Sequence, residues 1–417
     1  MENFSNVIVV GGGPCGSFAA LHMAKEGVKV TVFEEHSEIG FPCHCAGHLS
    51  INGLKTLGLY PLPKEITENY FHGAKIHSPQ GREISIRFTA PITCTVNRAL
   101  FDKYIALLAE KAGASYCLSA KVESLMVEKS RRKGILAKKG GKTIKFFGDI
   151  ILDAEGTSCN ILRQEGLTPP SPSSFVYCVN VEVENAENLE KDMVEVFLGN
   201  SYAPGFYAWI IPKTENEAKV GLGVKKGNPK DFLQKLMRKH PAASKKLLKA
   251  NISKINYHPI PLGGPIAKAY SNGFIAVGDA ASQVKPTTGG GVIFGLNCAK
   301  IAADVANEAV KTENFSAKFL KFYQKRFMKL LGFDVKAMLG AREMLNRIPD
   351  RKLDIFIDFC RKISLEKTFR SMKEIDFQGR TLLGAGYKPR IIAALAYFSL
   401  LNLNSLIYNF KADVEEF

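Results

Sequence analysis

Residues 43 to 50 read Cys-His-Cys-Ala-Gly-His-Leu-Ser, which places two thiols and two imidazoles within eight positions. Such a set suits metal ligation, a disulfide, or proton transfer beside a bound group. Zinc needs a second convergent pair of ligands, and no second C-x-x-C or H-x-x-x-H is present. Nine cysteines, an odd number at irregular spacing, argue for free thiols rather than a disulfide framework in a chain that opens without a readable export signal. Proton transfer requires a partner that this stretch does not itself supply. The bland alternative is a small buried Cys45 with His44 and His48 merely solvating a loop.

The partner is announced by glycines. Gly11, Gly13 and Gly16 stand in G-x-G-x-x-G spacing, where the first permits a tight turn, the second admits a pyrophosphate to the backbone, and the third lets a helix pack on a strand. Glu34, at the end of the next apolar run, is placed to accept ribose hydroxyls. Together they predict an ADP-containing cofactor. Much later, "AVGDAASQVKPTTGGGVIFGL" ends a strand at Gly278 and Asp279 and opens a helix at Gly289, Gly290 and Gly291. A carboxylate there suits a ribityl hydroxyl, and a helix N-terminus suits the electron-rich edge of a reduced flavin. Only one complete dinucleotide fingerprint is present, so a second tightly held nucleotide is not expected.

These residues need elements to hold them. "NVIVVGG" (6–12) reads as a buried strand, "SFAALHMAKEG" as a helix ended by Gly27, and "VKVTVFEE" as a second strand, the opening of a dinucleotide fold. "RALFDKYIALLAEKAG" (98–113) is an amphipathic helix, and "DIILDAEG" (149–156) a further strand. After the Pro/Ser-rich "TPPSPSS" (168–174), the segments "FVYCVNVEVE", "DMVEVFLG", "YAWIIP" and "KVGLGV" alternate as in an antiparallel sheet. Tyr207 and Trp209, two apart on such a strand, share a face and could wall an apolar substrate. From about residue 313 the pattern is helical. The apolar stretch 391–408 carries Ser399, Asn402, Asn404 and Ser405, which suits a core or interfacial helix rather than a bilayer span.

Fifty-six Lys and Arg against 40 Asp and Glu give a net charge of +16, enough to attract an anionic membrane surface, an acidic protein or nucleic acid, and charge alone does not choose among them. The runs at 129–142 and 245–250 read as a solvated hairpin and a helix face.

The ordered motifs "GGGPCG", "VFEE", "HCAGHLS", "NRALFDKYIALLAEKAGA", "DAEG", "YAWIIP" and "VGDAASQVKPTTGGG" resemble the FAD-dependent geranylgeranyl reductase family, within the p-hydroxybenzoate hydroxylase-like flavoproteins. The resemblance covers about residues 6–330. It departs from the family at Glu155-Gly156, usually Asp-Gly, and at Ile211, usually aromatic. It implies an α/β, Rossmann-like FAD-binding domain (1–165 and 266–330), an antiparallel-sheet, α+β substrate domain (166–265), and a C-terminal helical region (331–417). FAD contacts are expected from Gly11, Gly13, Pro14, Cys15, Gly16, Glu34, Glu35, Cys45, Ala46, Gly47, Arg98, Val122, Asp279, Gly289, Gly290, Gly291 and Val292. Tyr207, Trp209 and Pro286 are expected on the substrate side. The implied activity is saturation of isoprenoid C=C bonds, on archaeal-type lipids or another prenylated compound, with a flavin monooxygenase of the same fold as the alternative. Isolated alkenes are poor hydride acceptors, so a proton donor is required. Cys45 is the leading candidate, with His44 and His48 behind it, because a thiol of ordinary pKa near ~8.5 stays protonated at neutral pH. An external ferredoxin-like electron donor, a cytoplasmic location with peripheral contact to anionic membrane, and no nucleic-acid partner complete the expectation.

Overall fold

Val7, Ile8, Val9 and Val10 are apolar and wholly or almost wholly buried, the pattern of a central strand covered on both faces. A computed structural model describes residues 4–127, 133–370, 372 and 374–401. In it Phe4–Val10 pairs in parallel with Val30–Phe33 on one side and Lys142–Asp153 on the other. The sheet extends through Phe274–Ala276 and Tyr270–Ser271 at one edge and Ser115–Cys117 at the other. Antiparallel strands Ala120–Val127 and Lys133–Lys139 build out from Lys142–Asp153. Of the basic run at 129–142, residues 129–132 lie outside the described residues, and the remainder forms this hairpin, with Ile135 and Ala137 buried.

Helices Pro14–Lys25, Arg98–Lys111 and Val292–Lys311 pack around this sheet. Because the chain leaves Phe4–Val10 toward Val30–Phe33 and returns on its other side, the carboxyl ends of these strands border a switch point, where doubly wound sheets hold ligands.

The second sheet runs Asn251–Pro261, Phe175–Glu184, Ala218–Val224, Ala208–Pro212, Met193–Phe197, Gly73–His77, Glu83–Arg87. Its last two strands come from within the range 1–165 that the sequence assigned to the first unit. A parallel pairing of Val194 opposite Ala74 joins them, a long-range register that local periodicity does not encode. Val179, Val181, Ala208, Ile210, Val220 and Leu222 pack under helix Pro229–Lys239, and the alternate residues face inward. Gly221 leaves room for Trp209, since a Cβ there would lie 2.4 Å from the indole Cζ2, and Gly223 does the same for Phe206 at 2.6 Å.

A small sheet of His48–Ser50, Thr93–Val96 and Thr67–Phe71 lies between them. Helices Ala317–Arg347, Asp350–Lys362, Leu365–Phe369 and Gln378–Ala385 form the C-terminal part, and residues 389–401 are helical. Ile391, Ala394 and Phe398 pack inward from this last helix, while Ile392, Leu395 and Leu400 are exposed. Residues 402–408 of the expected 391–408 helix lie outside the described residues.

Candidate active site

The glycine turns, the inner face of the second sheet and the C-terminal helices enclose one cavity of about 1210 Å³. It has two lobes of different character.

The first lobe is largely main chain. Gly11 has φ +99° and a Cβ on it would stand 2.4 Å from the Ala154 carbonyl oxygen. A Cβ on Gly16 would stand 2.0 Å from the Gly11 carbonyl oxygen, so the helix rests directly on the turn. Nothing lies within 4 Å of the Cβ position of Gly13, which opens on the cavity. Helix Pro14–Lys25, with Pro14 in its first turn, and helix Val292–Lys311 both begin at glycines, Gly13 and Gly291, without a side-chain cap. Two uncapped helix N-termini therefore border one cavity, an arrangement suited to an anion. The Glu34 carboxylate accepts from the Gly12 N–H at 2.8 Å and the His36 N–H at 2.9 Å. Glu35 pairs with Lys121 at 2.9 Å beside Val122.

Cys15 also lines this lobe, and desolvation pushes its thiol up to about 12. Arg98 lines the cavity while forking to Asp102 at 3.1 and 3.0 Å. Asp279 stands in the turn that follows the Phe274–Ala276 strand, with Gly289, Gly290, Gly291 and Val292 close by along the lining.

The Cys-His-Cys-Ala-Gly-His-Leu-Ser stretch lines the cavity along its whole length. It is less of a loop than expected, because His48–Ser50 forms a strand whose Leu49 opposes Cys94. Gly47, at φ +76°, turns the chain where a Cβ would meet the Val96 carbonyl oxygen at 2.3 Å. Ala46 is held by its carbonyl, which accepts from Lys219 Nζ at 3.1 Å. Cys43 and Cys45 are free thiols, and Cys45 Sγ is exposed along the lining and accepts from the Gly47 N–H at 3.4 Å. Among the described residues no group of three or more potential ligands could hold a metal.

The two histidines differ from ordinary solvated imidazoles. His48 is exposed along the cavity lining, bonds Thr93 Oγ1 at 2.7 Å and meets Phe71 edge-on. Desolvation, then the Lys285 charge, push its imidazole down to about 4, so it is neutral at neutral pH and holds no imidazolium proton. Burial and the neighbouring His258 likewise lower His44, which stacks on His258 with centroids 5.3 Å apart.

The second lobe is apolar. Ile76, Ile86, Val194, Val196 and Ile211 come from the sheet, and Phe369, Met372, Ile375 and Leu382 from the C-terminal segment. Trp209 Nε1 donates to Asn180 Oδ1 at 3.3 Å, and the Tyr207 hydroxyl donates to the Thr288 carbonyl at 2.7 Å. Tyr207 lies one residue before the Ala208–Pro212 strand, yet its ring meets that of Trp209 at 5.8 Å on the cavity side. Pro286 is not brought to the lining; it is buried, and its carbonyl accepts from Arg342.

Sequence reasoning missed His258, Cys178, Asn180 and the pair Lys285–Asp376, whose atoms are 2.7 Å apart. The one available signal was periodic: Cys178 and Asn180 alternate with the core residues Val179 and Val181.

The family model for the geranylgeranyl reductase catalytic domain matches residues 175–255, and that for FAD dependent oxidoreductases matches residues 6–163. The chain is 34% identical over 358 residues to a digeranylgeranylglycerophospholipid reductase of Methanocaldococcus jannaschii, covering 85% of this chain and 90% of that protein. It belongs to the geranylgeranyl reductase family. A digeranylgeranylglycerophospholipid reductase of Methanothermobacter thermautotrophicus is 32% identical over 84% of this chain and 90% of its own. Among solved structures, a geranylgeranyl bacteriochlorophyll reductase-like protein of Thermoplasma acidophilum superposes with a TM-score of 0.83 at 25% identity, over 95% of this chain and all of the other. A flavin-dependent brominase, at TM-score 0.65 and 17% identity, shares the fold alone, covering 98% of this chain and 100% of its own.

The reductase is a FAD-dependent oxidoreductase, and its first lobe fits that cofactor. The open Cβ position of Gly13 and the uncapped helix at Pro14 suit a pyrophosphate, and the Glu34 carboxylate on the same lining has the chemistry to accept from ribose hydroxyls. Thr288 Oγ1, buried without a partner, sits beside Gly289 on the same lining. Among the described residues no helix is long and apolar enough to cross a membrane.

Proposed function

We propose that the reductase saturates the C=C bonds of geranylgeranyl chains on archaeal-type glycerol lipids, with Cys45 as the proton donor. The observation that carries this reading is that one cavity is lined both by the glycine turns and by apolar side chains of the second sheet, with the free Cys45 thiol on the same lining. Reduced FAD supplies the hydride to one alkene carbon. The chain supplies the rest: Trp209 and Ile211 hold the alkene and exclude water, and Cys45 Sγ gives its proton to the other carbon. His48, held neutral, positions the strand rather than donating. Anaerobic incubation of chemically reduced enzyme with a digeranylgeranylglycerol phospholipid is expected to add two hydrogens of mass per double bond. Absence of any gain with every prenyl lipid tried overturns the reading.

The electron donor in this proposal is a small acidic ferredoxin-like carrier, drawn by the +16 charge to a chain with one dinucleotide fingerprint. Fast, saturable flavin reduction by NADPH in anaerobic stopped flow would count against it. The enzyme works in the cytoplasm at the membrane surface, where its substrate resides. Leu383 and Tyr387, 70% and 76% exposed, and the exposed side of the 389–401 helix supply an apolar contact. Salt-sensitive flotation with anionic vesicles is expected, and no flotation under any condition would remove the membrane contact.

A further inference from the structure

Lysines and arginines bordering an apolar cavity are costly unless an anion accompanies them. Along this cavity Lys121 is paired with Glu35, Arg98 with Asp102 and Lys285 with Asp376. Arg342, on helix Ala317–Arg347, is different. It projects into a side chamber of about 50 Å³ that shares Leu198, Phe206, Tyr207, Thr287 and Leu345 with the main cavity. Among the described residues no carboxylate lies within 4.0 Å of it. Its guanidinium lies 4.5 Å over the Phe206 ring and, among the described residues, donates to the carbonyls of Pro286, at 3.0 Å, and Gly205. Of the five N–H donors of an arginine, these bonds leave three. Burial pushes Arg342 down to about 10, so it is still charged at neutral pH, with no carboxylate among the groups acting on it. Asn346 lines the same chamber.

We propose that Arg342 is an anion subsite that takes a phosphate group of the prenyl substrate, and so decides the preference for phosphorylated over neutral prenyl lipids. The proposal rests on the prenyl-reductase reading above. A planar guanidinium fork matches phosphate oxygens in a bidentate manner, and the chamber has room for a few waters that one phosphate group would replace. Charge-assisted bonds in such a place are strong enough to dominate discrimination. The main cavity would then receive the chain while the chamber holds the charged end, so that the two ends of one amphiphile are read by different chemistry.

The test compares three substrates in neutral-detergent micelles with chemically reduced enzyme: digeranylgeranylglyceryl phosphate, the same lipid without its phosphate, and geranylgeranyl diphosphate. For wild type, KM for the phosphorylated lipid is expected to be about tenfold or more below that of the neutral one. Arg342→Gln should erase that difference by raising only the phosphorylated KM, with kcat and FAD content little changed, and Arg342→Lys should recover part of it. Inorganic phosphate should compete with the phosphorylated lipid and not with the neutral one. Geranylgeranyl diphosphate as the substrate that responds to Arg342→Gln, with the phospholipid unresponsive, would assign the phosphate to a free prenyl diphosphate instead. Equal KM values for phosphorylated and neutral lipids in wild type overturn the subsite whatever the variants do. So does an Arg342→Gln enzyme that loses FAD or shifts all substrates alike, which would make Arg342 a clamp on the Gly205 and Pro286 carbonyls. No reduction of any of the three by wild type defeats the prenyl-reductase reading itself.

Discussion

The two lobes of the cavity are built from different material. The first is made of turns in which glycines bring main-chain atoms to the surface, within two short runs, 11–16 and 278–292. The second is made of side chains from strands as distant as Gly73–His77 and Ala208–Pro212, closed by helices near residue 380. A backbone cradle tolerates almost no substitution because its contacts are at the minimum distance. A side-chain wall is graded, since each residue contributes only part of the buried area.

Substitutions in the first lobe should therefore be all-or-none. Gly13→Ala meets no protein atom within 4 Å, so it should fold normally yet purify without flavin absorbance. Gly16→Ala, with its Cβ 2.0 Å from a carbonyl oxygen, should lose flavin and melting temperature together. A flavin-replete Gly13→Ala enzyme would break the distinction between cradle and wall.

At the boundary, Cys45→Ser should keep FAD and lower product formation in a single turnover by about 10²-fold, because a hydroxyl is a far weaker acid than a thiol. Flavin reduction by an external donor should change much less. An unchanged single turnover would remove Cys45 from the chemistry and leave it as a wall residue.

Within the second lobe the effects should be smaller and interchangeable. Trp209→Ala should raise KM for a prenyl lipid by about tenfold, or ~1.4 kcal/mol, with less change in kcat. Gly221→Ala, which pushes a methyl to 2.4 Å from the indole, should reproduce that defect without touching substrate. If Gly221→Ala is silent, the indole is not a fixed wall.

The smallest effect belongs to acid stability. His240 is fully buried and held down to about 4, chiefly by desolvation, while an unfolded histidine titrates near ~6.5. Between these values the unfolded chain takes up a proton that the folded chain refuses, so stability falls as pH falls through that window. Between pH 7 and 5.5 the loss from His240 should be about 1 kcal/mol, read as a lower urea midpoint. A midpoint that does not fall between pH 7 and 5.5 would contradict the assignment.

Much of the first lobe is legible in the order of residues alone. The G-x-G-x-x-G run lies between a β-branched strand and an alanine-rich helix, and its geometry is settled within about six residues. The strand, helix and cap expectations around it differ from the structure by only a few residues, as with Phe4–Val10 against 6–12. Pro286 shows the limit: it neighbours the lining residues Lys285 and Thr287, yet backbone direction turns it away from the cavity toward Arg342. His258 was invisible for a related reason. It reaches the cavity because the Asn251–Pro261 strand pairs with Phe175–Glu184 in a register that sets His258 opposite Cys178, and a one-residue slip would turn it to the other face.

By itself, the sequence determined the dinucleotide fold, FAD as the cofactor and membership of a reductase family, because these rest on main-chain geometry and on motifs that are local. Tertiary structure alone decided that two strands from the first 90 residues complete the second sheet, that Lys285 meets Asp376 and that His44 stacks on His258. It also decided that, among the described residues, no acid pairs with Arg342 beside the cavity. Convergence of side chains from distant segments depends on strand register and helix packing, which are set by the burial of the whole core rather than by the neighbours of any one residue.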